Sequence, residues 1–137
     1  MGGLKVLEIS SMVSAPFCGK LMASLGAEVI KIEPPKTGDP SRRRGPFPGD
    51  VPHLERSGMF LYLNTGKQSI TLDLDDHQGR EILWELTGKV DVLIHDLPPS
   101  KASELGIGQE RLAEARPDLI AAAITPFGST GPYRAPI

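Results

Sequence analysis

Residues 5–33 read KVLEISSMVSAPFCGKLMASLGAEVIKIE, and this stretch decides the fold. Two short apolar runs, Lys5 to Ile9 and Ala27 to Ile32, stand on either side of a segment whose apolar residues recur at helical spacing. A strand, a helix and a second strand in this order are typical of a parallel sheet covered by helices. We therefore predict a strand–helix–strand unit at the start of the chain.

The helix of this unit is expected to begin near Pro16, because a proline at the first helical position loses no hydrogen bond. Gly26 is a natural residue to end it. Cys18 lies on this apolar helix, which favours packing over nucleophilic chemistry. We expect the regularly spaced leucines and valines of the chain to be core residues. Four apolar residues share one face of the helix: Phe17, Leu21, Met22 and Leu25.

The alternation of strand and helix patterns continues along the chain. Strands are predicted at 68–74, 90–94 and 119–125, and helices at 57–63, from Asp75 or Asp76 to Gly88, and at 110–115. The helix that ends at Gly88 should bury Ile82, Leu83 and Leu86. These patterns predict an α/β protein with a Rossmann-like, open, mainly parallel sheet flanked by helices, in a single unit over residues 1–137.

A long irregular segment interrupts the pattern at residues 34–57. It holds six of the chain's 13 prolines and the run Arg42, Arg43 and Arg44. A loop of this length inside a compact domain is either functional or mobile. The three arginines could bind phosphates through their paired donors, or they could belong to a solvated loop, and the residues alone leave both interpretations open.

Composition narrows the class of protein. The net charge is -2 with a pI near 5.9, so no overall positive field attracts nucleic acid or anionic lipid. No apolar run approaches the roughly 20 residues that cross a bilayer, and the N-terminus lacks the pattern of a signal peptide. Cys18 is the single cysteine, which fits a reducing compartment. We expect a cytoplasmic protein with neither a nucleic-acid nor a membrane partner.

The residues that could bind a metal are scattered. His53, His77 and His95 fall on a loop, a helix start and a strand end, without metal-ligand spacing. We therefore predict no metal site. Trp84 is assigned to helix packing.

Ligands of open parallel sheets bind at the carboxyl ends of strands, near the point where strand order reverses. The first turn is not the G-x-G-x-x-G fingerprint, and the chain has no P-loop lysine motif. The residues thus predict a nucleotide-sized site without the usual phosphate loop. Five segments follow the predicted strands: 10–15, 33–35, 75–76, 96–99 and 125–127.

Seven order-specific strings carry a resemblance to a known family. In this order and spacing they resemble the N-terminal third of class III (CaiB/BaiF) CoA-transferases, over essentially the whole chain. The strings are LKVLE (4–8), LGAEVIKIEP (25–34), GD followed by arginines (38–44), NTGKQSITLDL (64–74), VDVLI (90–94), LGIG (105–108) and FGSTGPY (127–133).

The resemblance implies the N-terminal part of a large Rossmann-like domain, a small domain inserted later in the chain, and a homodimer of interlocked subunits. The family includes formyl-CoA transferase, alpha-methylacyl-CoA racemase and carnitine CoA-transferase. Its transferases move CoA between carboxylic acids: an aspartate attacks the acyl-CoA and becomes a mixed anhydride, which CoA thiolate converts to an aspartyl thioester. Covalent catalysis of this kind divides one hard step into two easier ones.

Other functions remain open at this point. The parent enzyme could be a racemase or dehydratase of acyl-CoA thioesters. The chain could also be a non-catalytic CoA-binding or interaction module, one subunit of a split enzyme, or an inactive relic.

The resemblance also implies site residues. The catalytic aspartate falls beyond the end of these 137 residues, so no catalytic residue is assigned and no turnover is expected from this chain alone. No covalent cofactor is implied, because coenzyme A or acyl-CoA is the substrate. Its contacts map to the residues after three strands, namely Met12, Val13 and Ser14, then Leu72, Asp73, Leu74 and Asp75, then Asp96, Leu97 and Pro98.

Four positions depart from the family's pattern. A frequent basic residue is replaced by Pro34, a frequent arginine by Glu104, a frequent lysine by Asp75 and a frequent asparagine by Asp96. A carboxylate repels a phosphate placed beside it. We expect Arg42, Arg43, Arg44 or Lys101 to offset this repulsion. Asp96 could instead cap the turn before Ala102. For Lys67, a pocket role and a surface position at a strand start are both open.

Overall fold

The computed structural model describes residues 1–128 and 130–132, so the string that ends at Tyr133 lies partly outside it. Five parallel strands form one sheet in the order β3-β2-β1-β4-β5. The predicted α/β fold with a parallel sheet is confirmed. The strands and α-helices are β1 (Lys5–Ile9), α1 (Ser14–Ser24), β2 (Glu28–Glu33), α2 (Gly58–Asn64), β3 (Gln68–Thr71), α3 (His77–Thr87), β4 (Val92–His95), α4 (Pro99–Glu104), α5 (Gln109–Ala115) and β5 (Ile120–Ala123). Two 3-10 helices, Pro40–Arg43 and Pro48–Asp50, lie in the long segment between β2 and α2.

Two strands end earlier than predicted. The third stops at Thr71 and the fifth at Ala123, three and two residues before the predicted ends, where their pairing with Glu33 and His95 ends. The short helix α4 was not predicted, because Pro98-Pro99 suggested only a break. A proline is nevertheless favourable at the start of a helix, and Pro99 is the first residue of α4.

The two faces of the sheet carry separate apolar cores, because both faces are covered by helices. Leu7 and Leu93 are completely buried against α3, α4 and α5. Val6 and Val92 point to the opposite face and pack with Ala15 of α1. This arrangement explains why β1 and β4 are nearly continuous apolar runs rather than alternating ones.

Most of the apolar face predicted for α1 is turned away from the sheet, although Met22 packs against the core as predicted. Phe17, Leu21 and Leu25 are 39%, 49% and 61% exposed, so their assignment to the core is wrong. The helix instead turns Ala15 and Gly19 towards the strands. A Cβ atom at Gly19 would overlap the Glu8 carboxylate, and only a small residue permits this approach.

The buried face predicted for α3 is also partly wrong. Leu83 of α3 is completely buried, whereas Ile82 is 46% exposed. Leu86 packs at the edge of the same core together with Trp84, whose assignment to packing agrees with its place there.

A cluster of buried charges continues the α1-facing side of the sheet beyond its apolar part. The Nζ atom of Lys31 lies 3.1 Å from Glu8 and 2.9 Å from Asp39. The second oxygen of Glu8 is 2.7 Å from the Nζ atom of Lys67. Burial lowers the pKa of Lys67, and Glu8 opposes that change. Buried charges of this kind are tolerated only when they are paired, so each one requires its neighbours.

A second ion pair fastens the 34–57 segment to β2. Glu33 accepts two hydrogen bonds from Arg42, at 2.7 and 2.8 Å, and the guanidinium stacks on Phe60 of α2. Burial raises the pKa of Glu33, but hydrogen bonds from Arg42, Ser69 and the Asp39 amide outweigh it and lower the pKa to about 2. The segment is thus built around a bidentate pair, which is the strong form of this interaction.

Within the described part of the chain, none of the helices is long and apolar enough to cross a membrane.

Replacing Leu93 by alanine should lower the free energy of unfolding by about 2–5 kcal/mol, because it opens a cavity at a completely buried position. Urea denaturation measures this change. Leu61→Ala, at a position 54% exposed, is the matched control and should cost less than about 0.5 kcal/mol. Equal losses in the two variants would contradict the assignment of the core.

Stability should fall as pH falls from about 5 towards 2. The pKa of Glu33 is about 2 in the folded chain and 4.5 without the contacts of the fold. The stabilisation that ionised Glu33 provides is therefore complete above pH 4.5 and is lost progressively as the pH falls towards 2. A shift of this size corresponds to about 3 kcal/mol. The lowered pKa of Asp39, where burial is outweighed by Ser41 and Lys31, acts in the same direction.

Urea midpoints between pH 2 and pH 7 test this dependence. Glu33→Gln should be less stable at pH 7 and should show a shallower loss in acid than the parent chain. Glu55→Gln is the control, because Glu55 pairs with the same Arg42 at 3.0 Å but is exposed. Parallel pH curves for the parent and Glu33→Gln would rule out the proposed role of Glu33.

Candidate functional site

Strand order reverses between β1 and β4. From β1 the chain proceeds outward to β2 and β3, and it then returns to β4 on the other side of β1. The helices that follow these two strands cover opposite faces, since α1 packs on one core and α4 on the other. A crevice at the carboxyl edge of such a sheet is the usual place for a ligand.

A cleft of about 240 Å³ lies at this edge. Its surface is mainly apolar, with a rim of hydroxyl and charged groups. The apolar lining consists of Ile9, Ile32, Pro34, Pro35, Pro40, Leu72, Leu74 and Leu97. The polar lining consists of Ser10, Ser11, Asp39, Asp73, Asp75, Asp96 and Lys101.

Asp96 joins the two central loops across the cleft. Its Oδ2 atom accepts a hydrogen bond of 2.8 Å from the amide of Ser11. Burial raises the pKa of Asp96, and the Ser11 amide opposes that change. The alternative role as a helix cap is not observed, because α4 begins after Pro98 without a side-chain cap.

The turn after β3 forms one wall of the cleft. The amide of Leu72 donates to the carbonyl of Glu33 at 3.1 Å, and the amide of Asp75 donates to the Asp73 carboxylate at 3.0 Å. The first turn of α3 presses against this wall, because a Cβ atom at Gly79 would overlap the Asp73 carbonyl oxygen. The turn is therefore held by its own hydrogen bonds and by close packing of α3 against it.

Lys101 carries the positive charge of the cleft lining, and it is already engaged. Its Nζ atom lies 2.8 Å from Asp75 and 3.2 Å from Glu104, and Arg80 contacts the same Glu104 oxygen at 2.8 Å. The hydrogen bond from Lys101 lowers the pKa of Asp75, and Asp75 in turn raises the pKa of Lys101.

Six of the ten site residues implied by the resemblance line one cleft, and four do not. The six are Leu72, Asp73, Leu74, Asp75, Asp96 and Leu97. Met12, Val13, Ser14 and Pro98 lie outside its lining. The backbone of Met12 has a φ of 62°, and its amide is directed to Asp39 at 3.2 Å. The chain then enters α1, so Ser11 rather than Met12 meets the cleft.

Asp39 is a lining residue that the sequence alone did not single out. It follows Gly38 in one of the quoted strings, but the string did not reveal that its carboxylate faces both Lys31 and the β1 loop. Its local pattern, Asp39-Pro40-Ser41, is that of a helix N-cap, and the Asp39 carboxylate accepts a hydrogen bond of 2.8 Å from the Ser41 amide. That pattern indicates the cap but not the two distant contacts.

Two of the charged residues left open by the sequence are held by buried partners. Arg42 pairs with Glu33, which favours a structural role for it, while Arg43 and Arg44 are exposed and their role stays open. Lys67 is buried beside Glu8, so the interpretation as a surface lysine is wrong. Its other partners are the Pro16 carbonyl at 2.8 Å and Asn64 at 2.9 Å.

A larger groove of about 500 Å³ runs between α3 and the α4–α5 turn. It is lined by Trp84 and by the surface ion pair of Arg80 and Glu104, and it adjoins the cleft where Glu104 also contacts Lys101. Among the described residues, no group of three His, Cys, Asp or Glu side chains could hold a metal ion. The cleft at the carboxyl edge therefore remains the candidate site.

Comparison with known proteins identifies the relatives of this chain. The model of CoA-transferase family III matches residues 1–136. Acetyl-CoA:oxalate CoA-transferase of Acetobacter aceti is 41% identical over 130 residues, which are 95% of this chain and 32% of that enzyme. Human succinyl-CoA:glutarate CoA-transferase is 37% identical over 131 residues, covering 95% of this chain and 29% of that enzyme.

A solved structure gives the same result. The crystal structure of a CaiB/BaiF family protein from Brucella suis superposes with a TM-score of 0.85 at 36% identity, over 97% of this chain and 35% of that one. The chain thus spans about a third of the length of the proteins it matches. Sequence and fold agree along almost all of its residues, and the chain belongs to CoA-transferase family III.

Proposed function

We propose that this chain supplies part of the coenzyme-A pocket of an enzyme that transfers CoA between carboxylic acids. The observation that carries the proposal is the cleft at the reversal of strand order, which has an apolar lining and a polar rim. A few polar groups around an apolar surface are typical of small-molecule sites. We assign ligand contact to the cleft residues after β1, β3 and β4.

Transfer is favoured over racemisation or dehydration by the names of the relatives. The similar proteins from Acetobacter aceti and from human are both CoA-transferases, one for oxalate and one for glutarate. An acyl-CoA and a carboxylic acid are accordingly the proposed substrates here.

The residues of this chain bind and orient, and the covalent step belongs to the rest of such an enzyme. Asp73, Asp75 and Asp96 line the cleft, but the first two are exposed and the third is held by Ser11. We assign none of them the role of the nucleophile. In the proposed enzyme an aspartate outside these residues carries the acyl group and then CoA through the anhydride and thioester steps.

We propose a second copy of the chain as the partner of α1. Val13, Phe17, Leu21 and Leu25 recur every four residues and are each at least 39% exposed, which forms an apolar stripe along the helix. The single cation of this helix, Lys20, lies over the ring of Tyr62 at 3.2 Å. A two-fold axis would place this stripe against itself, as in most homodimers.

The cytosol is the proposed location, because Cys18 is a free thiol.

Binding of CoA to the chain tests the main proposal. Isothermal titration calorimetry should show saturable binding, and Ser11→Trp should weaken it at least about tenfold, because the indole would fill the cleft beside Asp96. Ser24→Trp places the same side chain at the far end of α1 and should leave binding unchanged. Absence of saturable heat with the parent chain, or equal binding by Ser11→Trp, would refute the proposal.

Sedimentation velocity tests the partner. The parent chain should self-associate with increasing concentration, and Leu21→Glu should raise the dissociation constant at least about tenfold, since a charge would be buried in the interface. Ile82→Glu makes the same change at a position of similar exposure on α3 and should not affect association. A parent chain that stays monomeric, or a dimer that tolerates Leu21→Glu, would exclude α1 as the interface.

A further inference from the structure

One peptide unit lies at the point where strand order reverses, between the end of β1 and the loop after β4. It joins Ser10 to Ser11, and both residues line the cleft. Its carbonyl oxygen accepts a hydrogen bond of 2.8 Å from the Nζ atom of Lys31. Its N–H group donates a hydrogen bond of 2.8 Å to the carboxylate of Asp96. The peptide unit is therefore held by a charged donor at one end and by a charged acceptor at the other.

Only one of these two charged groups can reach a ligand. Asp96 lines the cleft, whereas Lys31 is 1% exposed and lies outside the lining. Hydrogen bonds to charged groups are stronger than those between neutral groups. The ammonium group of Lys31 therefore determines which way the Ser10 carbonyl oxygen points, although it cannot contact a ligand in the cleft.

Lys31 also fixes the next peptide unit of the same turn, through Asp39. Its Nζ atom lies 2.9 Å from one carboxylate oxygen of Asp39, and the other oxygen accepts a hydrogen bond of 3.2 Å from the amide of Met12. Met12 has a φ of 62°, which is uncommon for a residue other than glycine. Such a conformation persists only where the surrounding contacts hold it. The shape of the turn 10–12 thus depends on Lys31 at two places.

Resting on the proposed function, we propose that Lys31 is a positioning residue of the ligand site. It fixes the backbone of residues 10–12, so that Ser10 and Ser11 form a wall of the cleft before the ligand arrives. A preformed wall avoids the entropy loss of ordering a mobile turn when the ligand binds. The affinity for the ligand therefore depends on a buried side chain that the ligand does not contact.

A double variant removes Lys31 without leaving an unpaired charge. Replacing Lys31 alone would bury the Asp39 carboxylate without a counter-charge, which is strongly destabilising. Lys31→Met/Asp39→Asn removes one positive and one negative charge together. Glu8 keeps its pair with Lys67 at 2.7 Å, and the side chain introduced by Asp39→Asn retains an oxygen for the Ser41 amide. We therefore expect the double variant to fold, which urea denaturation checks.

Hydrogen exchange measured by NMR follows the peptide unit itself. In the parent chain the Ser11 amide should exchange at least about tenfold more slowly than an unprotected amide, although Ser11 is exposed. In the double variant this protection should decrease at least about tenfold, because the carbonyl end of the same peptide unit is released. This readout needs no ligand.

Isothermal titration calorimetry with CoA follows the consequence for binding. The double variant should bind CoA at least about tenfold more weakly than the parent chain, since the hydrogen bond to a charged group that fixes the wall is gone. Leu93→Ala is the control, because it destabilises the core at a completely buried position outside the cleft lining. Its CoA affinity and its Ser11 exchange should stay within about twofold of the parent values, since the turn opens locally.

The outcomes separate this inference from the proposed function. Equal CoA affinity of the parent chain and the folded double variant would overturn the inference and leave the CoA pocket standing. An unprotected Ser11 amide in the parent chain would overturn it without any variant, and so would an equal loss of affinity in Leu93→Ala. A parent chain that does not bind CoA would overturn the proposed function, and the inference with it.

Discussion

The rest of this structure depends on the buried ion pairs that the ammonium group of Lys31 makes. It lies between the carboxylates of Glu8 and Asp39, both almost completely buried. A lone charge in such a place would cost several kcal/mol, so the three residues are stable only together. Glu8 is on β1, Lys31 is on β2 and Asp39 is in the long loop. The pairing therefore joins two central strands to a segment that has almost no regular structure of its own.

The same contact shapes the candidate site. Asp39 uses one carboxylate oxygen for Lys31 and the other for Ser41 and the amide of Met12. The long loop is thereby held against the loop after β1, and the two prolines that follow β2 become a wall of the cleft. The form of the candidate site thus follows from how the sheet neutralises its buried charges.

Most of the fold could be predicted because it depends on short-range patterns. Apolar runs located the central strands, and glycines and prolines located the ends of helices. Six of the lining residues came from the resemblance to the family, because the strand pattern alone placed Leu72, Asp73 and Leu74 inside a strand. Patterns failed where the decisive interaction was distant in sequence. Arg42 and Lys67 read as surface or ligand-binding cations, and only the fold reveals Glu33 and Glu8 beneath them. A charged residue looks the same in a sequence whether its partner is water or a buried carboxylate.

The prediction of which face of α1 is buried was wrong for the same physical reason, and the actual orientation determines which side chains are exposed. The residue of α1 that lies over Glu8 must be glycine, because a side chain there would displace the Glu8 carboxylate from Lys67. That requirement fixes the rotation of the helix about its axis and turns Phe17 and Leu21 outward. The exposure of these apolar side chains is therefore a consequence of how the interior pairs its charges. We expect that a substitution at Glu8 or Lys67 would alter the exposed apolar surface of α1, although none of the residues that form this surface would have changed.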